Sequence, residues 1–536
     1  MASIRSHGVE SKAGHPSPAP WIGGLNAEQA AAVSADPDGA LLILAGAGSG
    51  KTTVLTRRAA YLCDPAFGGA GVLALTFTKD AALEMEARLR ASGAWEKAAV
   101  PPRIGTFHAF AYALIRGEDF PGGESDGAAG KGTDAGANWA RLGFARCPRL
   151  IGEEEIAAWI SAGLERARAE GRPRGESPSR IADWIAEPFG NGLPDGEARN
   201  RFGDETGGSA DTQNGGSERE EWRNRFRAHL LSRGLIGFGD MVALALRLLR
   251  GNAGVLAECR RRWPRILVDE FQDTSRDQLE LVRLLAGEPA RLFLVGDDDQ
   301  AIYGFRGADP GNLRAAMGMF PYLSVLKLET NYRSSESIVA YANSVFRGKP
   351  AALRKRLRAG SSRGSAPVRT LVHADGAEQA RWMIGEMERL RREEGIAWSD
   401  MAILYRLNSL EPYYRAALER LAGPEAAREV TLATVHAAKG LEYPAVFFAG
   451  LEDGIVPHRR AGAPLPEERM EEERRIFYVG VTRAQRFLYL CACRRRVLRG
   501  KPVAARPSPF LRRGLAALPG AVAGALSALR GKAVPA

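Results

Sequence analysis

Two series of short apolar runs, separated by stretches with helical periodicity, limit what this chain can fold into. The first series is LLILA (41–45), VLALTFT (72–78), RIGTF (103–107), RILVDE (265–270), RLFLVGD (291–297) and VLKLET (325–330). The second is VRTLVH (368–373), MAILYR (401–406), VTLATVH (430–436), AVFFAGL (445–451) and FLYLCAC (487–493). These runs are almost continuously hydrophobic instead of alternating. Such strands must be covered on both faces, as in a parallel sheet flanked by helices. Tandem α/β domains are the simplest architecture that accommodates both series. Residues 111–235, between the third and fourth runs, predict a helical insertion in the first domain.

The first run leads directly into AGAGSGKTT (45–53). A strand, a small-residue turn and a helix in that order turn backbone N–H groups toward an anion at the helix N-terminus. Gly46, Ala47, Gly48, Ser49 and Gly50 form the turn, and Ala45 at the end of the strand occupies the first position of the GxxxxGKT pattern, where glycine is usual. Lys51 is placed to reach nucleotide phosphates and Thr52 to ligate Mg²⁺. The run RILV ends in Asp269-Glu270. A carboxylate at the mouth of a parallel sheet suits a metal, and its neighbour suits activation of water. Asp269 is therefore the expected second metal ligand, and Glu270 the expected base.

A net charge of +11 and a pI near 9.5 fit a polyanionic partner without demanding one. The five cysteines include no CxxC pair, so zinc-ribbon and iron–sulfur chemistry lack their ligand pattern. The first 20 residues hold no apolar signal core, and the apolar stretch GLAALPGAVAGALSAL is broken by proline and glycine, so a cytoplasmic protein without a membrane span is expected. The Gly-, Ser- and Asp-rich stretches 119–138 and 190–220 predict loose loops. The basic stretches 347–369 and 493–501 read either as phosphate contacts or as solvated surface.

An ordered set of further motifs resembles the UvrD/Rep/PcrA group of superfamily 1 DNA helicases. LNAEQ (25–29) is similar to its Q motif, AGAGSGKTT to motif I, LTFTKDAALEM (75–85) to Ia and GTFHAF (105–110) to Ib. DEFQDT (269–274), VGDDDQAIYGFRGAD (295–309) and LETNYRS (328–334) are similar to motifs II, III and IV. TVHAAKGLEYPAVF (434–447) and ERRIFYVGVTRA (473–484) are similar to motifs V and VI.

The resemblance implies two tandem RecA-like P-loop domains that bind ATP and Mg²⁺. The expected boundaries are a tail at 1–22, domain 1A at 23–110 with 236–330, and insertion 1B at 111–235. Domain 2A follows at 331–506, and a C-terminal tail at 507–536. It implies that Gln29 reads the adenine, Tyr332 stacks on it and Glu442 meets the ribose. Gln300 is expected to sense the γ-phosphate, and Arg333 and Arg483 to neutralise charge in the transition state. Phe77, Tyr303 and Phe305 are expected to stack on bases, with Thr106, Arg306 and Lys439 as backbone or coupling contacts. His108 and His436 read as structural histidines.

Three departures stand out. Thr53 replaces an adenine-gripping arginine. Motif Ia reads TFTKDAA in place of TFTNKAA, and Phe305 stands where tryptophan is common. The span from Ser334 to Thr431 leaves little room for the family's 2B insertion, and the chain after motif VI leaves none for a nuclease domain. The expected activity is an ATP-dependent 3′–5′ helicase acting on single-stranded and tailed duplex DNA, with repair or replication proteins as further partners. The alternatives are a single-strand translocase that needs a partner to unwind, a DNA-binding scaffold with a vestigial ATPase and, more remotely, a superfamily 2 RNA helicase.

Overall fold

The computed structural model describes residues 19–67, 69, 71–118, 138–144, 146–170, 176–186, 215–309, 311–346, 355–360, 366–459, 464–498 and 501–511. The expected loop 119–138 thus falls outside the described residues except for Asn138. Of the expected loop 190–220, residues 215–220 open the helix Gly215–Arg233. The chain forms two compact units. One comprises residues 1–61, 268–274 and 292–536, the other 62–267 and 275–291.

In the first unit the strand Leu41–Ala45 lies between Leu292–Gly296 and Ser324–Leu328, parallel to both. All five of its residues are buried. A second sheet has the order Arg369–Asp375, Ala484–Leu498, Tyr443–Phe448, Met401–Tyr405, Thr431–Thr434. These strands run parallel, and Lys501–Ala504 adds an antiparallel edge. Side chains alternate across a strand, which explains the continuous apolar runs. Met401, Ile403 and Tyr405 join one core with Met383, Met387 and Leu418 from helices Gly376–Glu394 and Glu411–Glu429. Ala402 and Leu404 join the opposite core with Tyr341, Ile476 and Phe477 from helices Glu336–Val345 and Glu467–Val481. Phe510 and Leu511 also pack into that second core, so ordered packing reaches into the segment read as a tail from sequence.

Between Met401–Tyr405 and Thr431–Thr434 the chain makes one helical turn and the helix Glu411–Glu429. That helix is kinked at Gly423 (φ 92°, ψ 173°) followed by Pro424. Proline removes an amide donor and crowds the preceding turn, so the kink has a local cause. The basic stretch 493–501 is not uniformly solvated. Arg496 is buried against Glu452, its Nε and Nη2 donating at 2.7 and 2.8 Å, and Nη2 also donates to Gln379 Oε1 at 2.9 Å. The strand Ala484–Leu498 outlasts the apolar run and carries this arginine inward.

The second unit contains the parallel pair Val72–Thr76 and Arg103–Thr106. Thr78 and Thr106 cap the helices that follow, each hydroxyl accepting from an amide three residues on. In the region expected to be a helical insertion, helices Glu153–Ala169, Pro178–Ala186 and Gly215–Arg233 bury Trp184, Trp222 and Phe226 together. A two-residue strand pair, Arg149–Leu150 with Leu235–Ile236, also lies there and was not expected from the sequence. Among the described residues no helix is long and apolar enough to cross a membrane.

Candidate nucleotide site

The groups expected at a nucleotide converge within the first unit. Leaving the sheet at Ala45, the chain donates from Gly46 N–H to Leu328 O (3.0 Å) and turns through Gly48 (φ 67°) and Gly50 (φ 80°). The helix Lys51–Cys63 then begins. These φ values lie where an L side chain is strained. Space is short as well: a Cβ on Gly46 would lie 2.1 Å from Leu357 Cδ2, and one on Gly48 2.6 Å from Arg333 Cβ. The Gln29 amide donates to Ser49 O at 2.9 Å, tying the Q-like segment to the loop.

Val268 ends its strand and Asp269 follows, 5 % exposed. Glu270 adopts φ 47°, ψ 44°, the left-handed region in a non-glycine residue. Backbone strain of this kind, about 1–3 kcal/mol, persists where surrounding contacts enforce it. Here the strained conformation directs the Glu270 carboxylate to 3.8 Å from Lys51 Nζ. Burial, with the Glu270 charge beside it, raises the Asp269 carboxyl to about 7. Burial also pushes Glu270 up, but Lys51, Lys439 and the Gln272 amide outweigh it and leave that carboxyl below its ordinary value. Two neighbouring carboxylates, one raised mainly by burial and further by the other's charge, suit a divalent cation, which would favour both ionised forms. Asp269 and Thr52 are the two residues that the sequence motifs lead one to expect at a Mg²⁺ ion, and both lie in this unit.

Gln300 sits between acid and arginine. Its Nε2 donates to Asp297 Oδ2 at 2.6 Å, and its Oε1 accepts from Arg483 Nη2 at 3.0 Å. Arg483 is 1 % exposed and is further held by Val479 O and Leu441 O at 3.0 and 3.1 Å. Burial and the nearby Arg333 charge lower its guanidinium to about 9. Arg333 donates to Glu442 Oε2 at 2.5 Å and Thr482 O at 3.2 Å. Glu442 therefore stands as the partner of Arg333, and Gln485 donates to its other oxygen at 2.9 Å. Tyr332 accepts at its hydroxyl from Asn26 Nδ2 (2.7 Å), and its N–H donates to Gly48 O (2.8 Å). Thr53 is exposed.

Lys439 links this site to the aromatic residues. Its ammonium contacts Asp273, donates to Gln300 O at 2.7 Å and lies 4.8 Å from the Tyr303 ring centroid. Phe305 is 61 % exposed, with its ring edge-on to His436 at 5.3 Å. Phe77 is half-buried and Thr106 caps its helix; both belong to the second unit. The backbone of Arg306 lies in a short 3₁₀ turn, and its side chain falls outside the described residues. In the second unit His108 stacks on Phe238 at 4.2 Å, and burial holds its imidazole below the ordinary value.

The family model for the UvrD/REP helicase N-terminal domain matches residues 25–321. The chain belongs to the UvrD/REP helicase family. The UvrD-like helicase C-terminal model matches residues 326–424 and 415–495, two pieces that meet at the kinked helix. A probable DNA helicase of Mycoplasma pneumoniae is 32 % identical over 473 residues, 87 % of this chain and 83 % of the relative. DNA helicase II of Escherichia coli is 29 % identical over 414 residues, 75 % of this chain but 51 % of the relative, so the chain spans about half of that family member's length. The ATP-dependent DNA helicase PcrA of Staphylococcus aureus is 25 % identical over 667 residues, 91 % of this chain and 86 % of the relative. An alignment that long exceeds the 536 residues present here, so this family member carries segments that the chain lacks.

Several residues of the site are not evident from sequence. Asn331 donates to Ala47 O at 2.7 Å and accepts from the N–H of Arg333 and Ser334. Gln272 contacts Glu270 through its amide nitrogen and accepts from Asp297 N–H at 2.7 Å. The side chain of Lys355, from the stretch read as surface or phosphate contact, is 2 % exposed among Asp297, Asp298 and Asp299. A run of three aspartates after a buried strand is the signal that could have pointed to a buried cation.

Proposed function

We propose that this protein is an ATP- and Mg²⁺-dependent DNA helicase of the cytoplasm, moving 3′ to 5′ along single strands and separating tailed duplexes. The observation that carries this reading is the connected set Lys51–Glu270 and Gln300–Arg483, built from segments far apart in the chain. In this reading Lys51 and the loop 45–50 hold the phosphates, and Glu270 accepts the proton of the attacking water. Arg333 and Arg483 neutralise charge that develops on the transferred phosphoryl group. Thr52 and Asp269 would hold Mg²⁺, which would supply neutralisation of charge on the phosphate oxygens. Gln29 and Tyr332 take the adenine, and Glu442 exchanges Arg333 for the ribose. Tyr303, Phe305 and Phe77 stack on bases, with Thr106, Arg306 and Lys439 near the strand's backbone. Residues 23–110 with 236–330 form the first RecA-like domain, 111–235 its insertion and 331–506 the second.

A second reading is favoured by one observation: a single kinked helix, Glu411–Glu429, fills the span in which the sequence leaves little room for the family's 2B insertion. A translocase that needs a partner to unwind fits that geometry. Strand separation on 3′- and 5′-tailed duplexes, measured with DNA-stimulated ATPase, distinguishes the readings. Unwinding from the 3′ tail supports the helicase, and ATPase without separation supports the translocase. No ATPase with any DNA, or full turnover in Lys51→Ala, refutes both.

A further inference from the structure

Lys355 lies in a short strap, residues 355–359, whose last two residues pair in parallel with Thr330–Asn331. The strap is firmly held. Asn343 exchanges two hydrogen bonds with the Leu357 backbone, both 2.9 Å, and the Leu357 side chain packs where a Gly46 Cβ would stand. From this strap the Lys355 ammonium reaches Asp297 Oδ1 at 2.8 Å and Asp299 Oδ2 at 3.1 Å, and it also contacts Asp298. Three carboxylates so arranged would otherwise suit a metal ion; here the protein's own cation occupies their centre.

Asp297 does not end at Lys355. Its second oxygen accepts from the Gln300 amide nitrogen at 2.6 Å, which leaves the amide oxygen facing Arg483 at 3.0 Å. A primary amide presents a donor at one end and an acceptor at the other, so its orientation depends on its partners. An ionised Asp297 only accepts, and thereby forces the orientation in which Gln300 receives the arginine. A protonated Asp297 could donate instead, and the reversed amide would set two donors against each other at Arg483. Burial pushes the Asp297 carboxyl up, yet Lys355 and Lys51 together hold it down to about 2.

We propose that Lys355 is a positioning residue for ATP hydrolysis, anchoring Asp297 so that Gln300 keeps its oxygen on Arg483. This rests on the reading in which Gln300 and Arg483 serve the γ-phosphate. The test is DNA-stimulated ATPase of Lys355→Met, Gln300→Ala and the double variant, with folding checked by thermal melting. Outer-shell partners that orient metal ligands are worth about 10–100-fold in activity, and Lys355 orients Gln300 in a similarly indirect way. Lys355→Met should lower kcat by that factor and change KM for ATP less than threefold. The double variant should be no slower than Gln300→Ala by more than twofold. Asp298→Asn/Asp299→Asn, which keeps the Lys355–Asp297 contact, should stay within threefold of wild type. If Lys355→Met does not fold, Lys355→Met/Asp298→Asn/Asp299→Asn removes two of the crowded carboxylates and carries the same comparison. Full kcat in the folded Lys355 variant, or losses that multiply with Gln300→Ala, would overturn the proposal. Wild-type kcat in Gln300→Ala would instead remove the reading on which it rests.

Discussion

Gly48→Ala tests how tightly the phosphate loop is braced by the segment Asn331–Arg333. The new Cβ would lie 2.6 Å from Arg333 Cβ and 2.8 Å from Asn331 Nδ2. Neither atom yields easily. The first is the root of its side chain, and the second is bonded to Ala47 O in a residue that is 1 % exposed. Placing alanine at φ 67° costs about 1–2 kcal/mol, and overpacking a tight contact adds about 1–3 kcal/mol. A combined cost of about 2–5 kcal/mol, drawn from the reactive geometry, lowers kcat/KM for ATP by roughly 30-fold to several thousand-fold. Gly395 supplies a matched control, since it has the same φ of 67° at a helix C-terminus and nothing within 4 Å of its added Cβ. Gly395→Ala should lower the melting temperature through the backbone term alone and leave kcat/KM within twofold. Steady-state ATPase with saturating single-stranded DNA reads the difference. A Gly48→Ala enzyme within threefold of wild type, or equal losses in both variants, would refute the steric argument.

Glu270→Gln should retain nucleotide binding and lower kcat by about 10²–10⁴, measured by single-turnover hydrolysis beside a fluorescent-nucleotide titration. Glu452→Ala leaves Arg496 buried without its carboxylate partner and should cost about 3–5 kcal/mol in denaturant unfolding; a loss below 1 kcal/mol would contradict the enclosed ion pair. His108 has a depressed folded-state pKa, so its stabilising effect is complete above the ordinary value of 6.5 and is lost as pH falls. His108→Gln should therefore flatten the decline in melting temperature between about pH 7 and pH 5. His229 and His373, also held low by burial, should supply the decline that remains, and an unchanged slope would exclude His108 as a contributor.

The sheets and the loop conformations at the candidate site were legible because their physics is local. A run such as MAILY can only be a strand covered on both sides, and GSGKTT after LLILA can only turn and begin a helix. Pairings between distant charges were not legible. Lys355 stands among arginines and reads as solvated, because nothing nearby in sequence reveals three aspartates nearly sixty positions earlier. Arg496 was hidden in the same way: CRRRVLRGK looks like a surface patch until the strand's alternation turns one arginine inward onto Glu452. The pairing of Glu442 with Arg333 was hidden as well, since 109 positions separate the two residues.

Lys439 joins two surfaces with a single ammonium group. It binds the Gln300 carbonyl and the Asp273 carboxylate on one side and covers the Tyr303 ring on the other. If a base stacks on Tyr303, a tilt of that ring would change the face the cation covers, while the same ammonium stays bonded to the Gln300 carbonyl. If the proposed reading holds, fuel use would need no messenger travelling through the fold. The clutch would be one side chain long, and loading the track and engaging the drive would be the same movement.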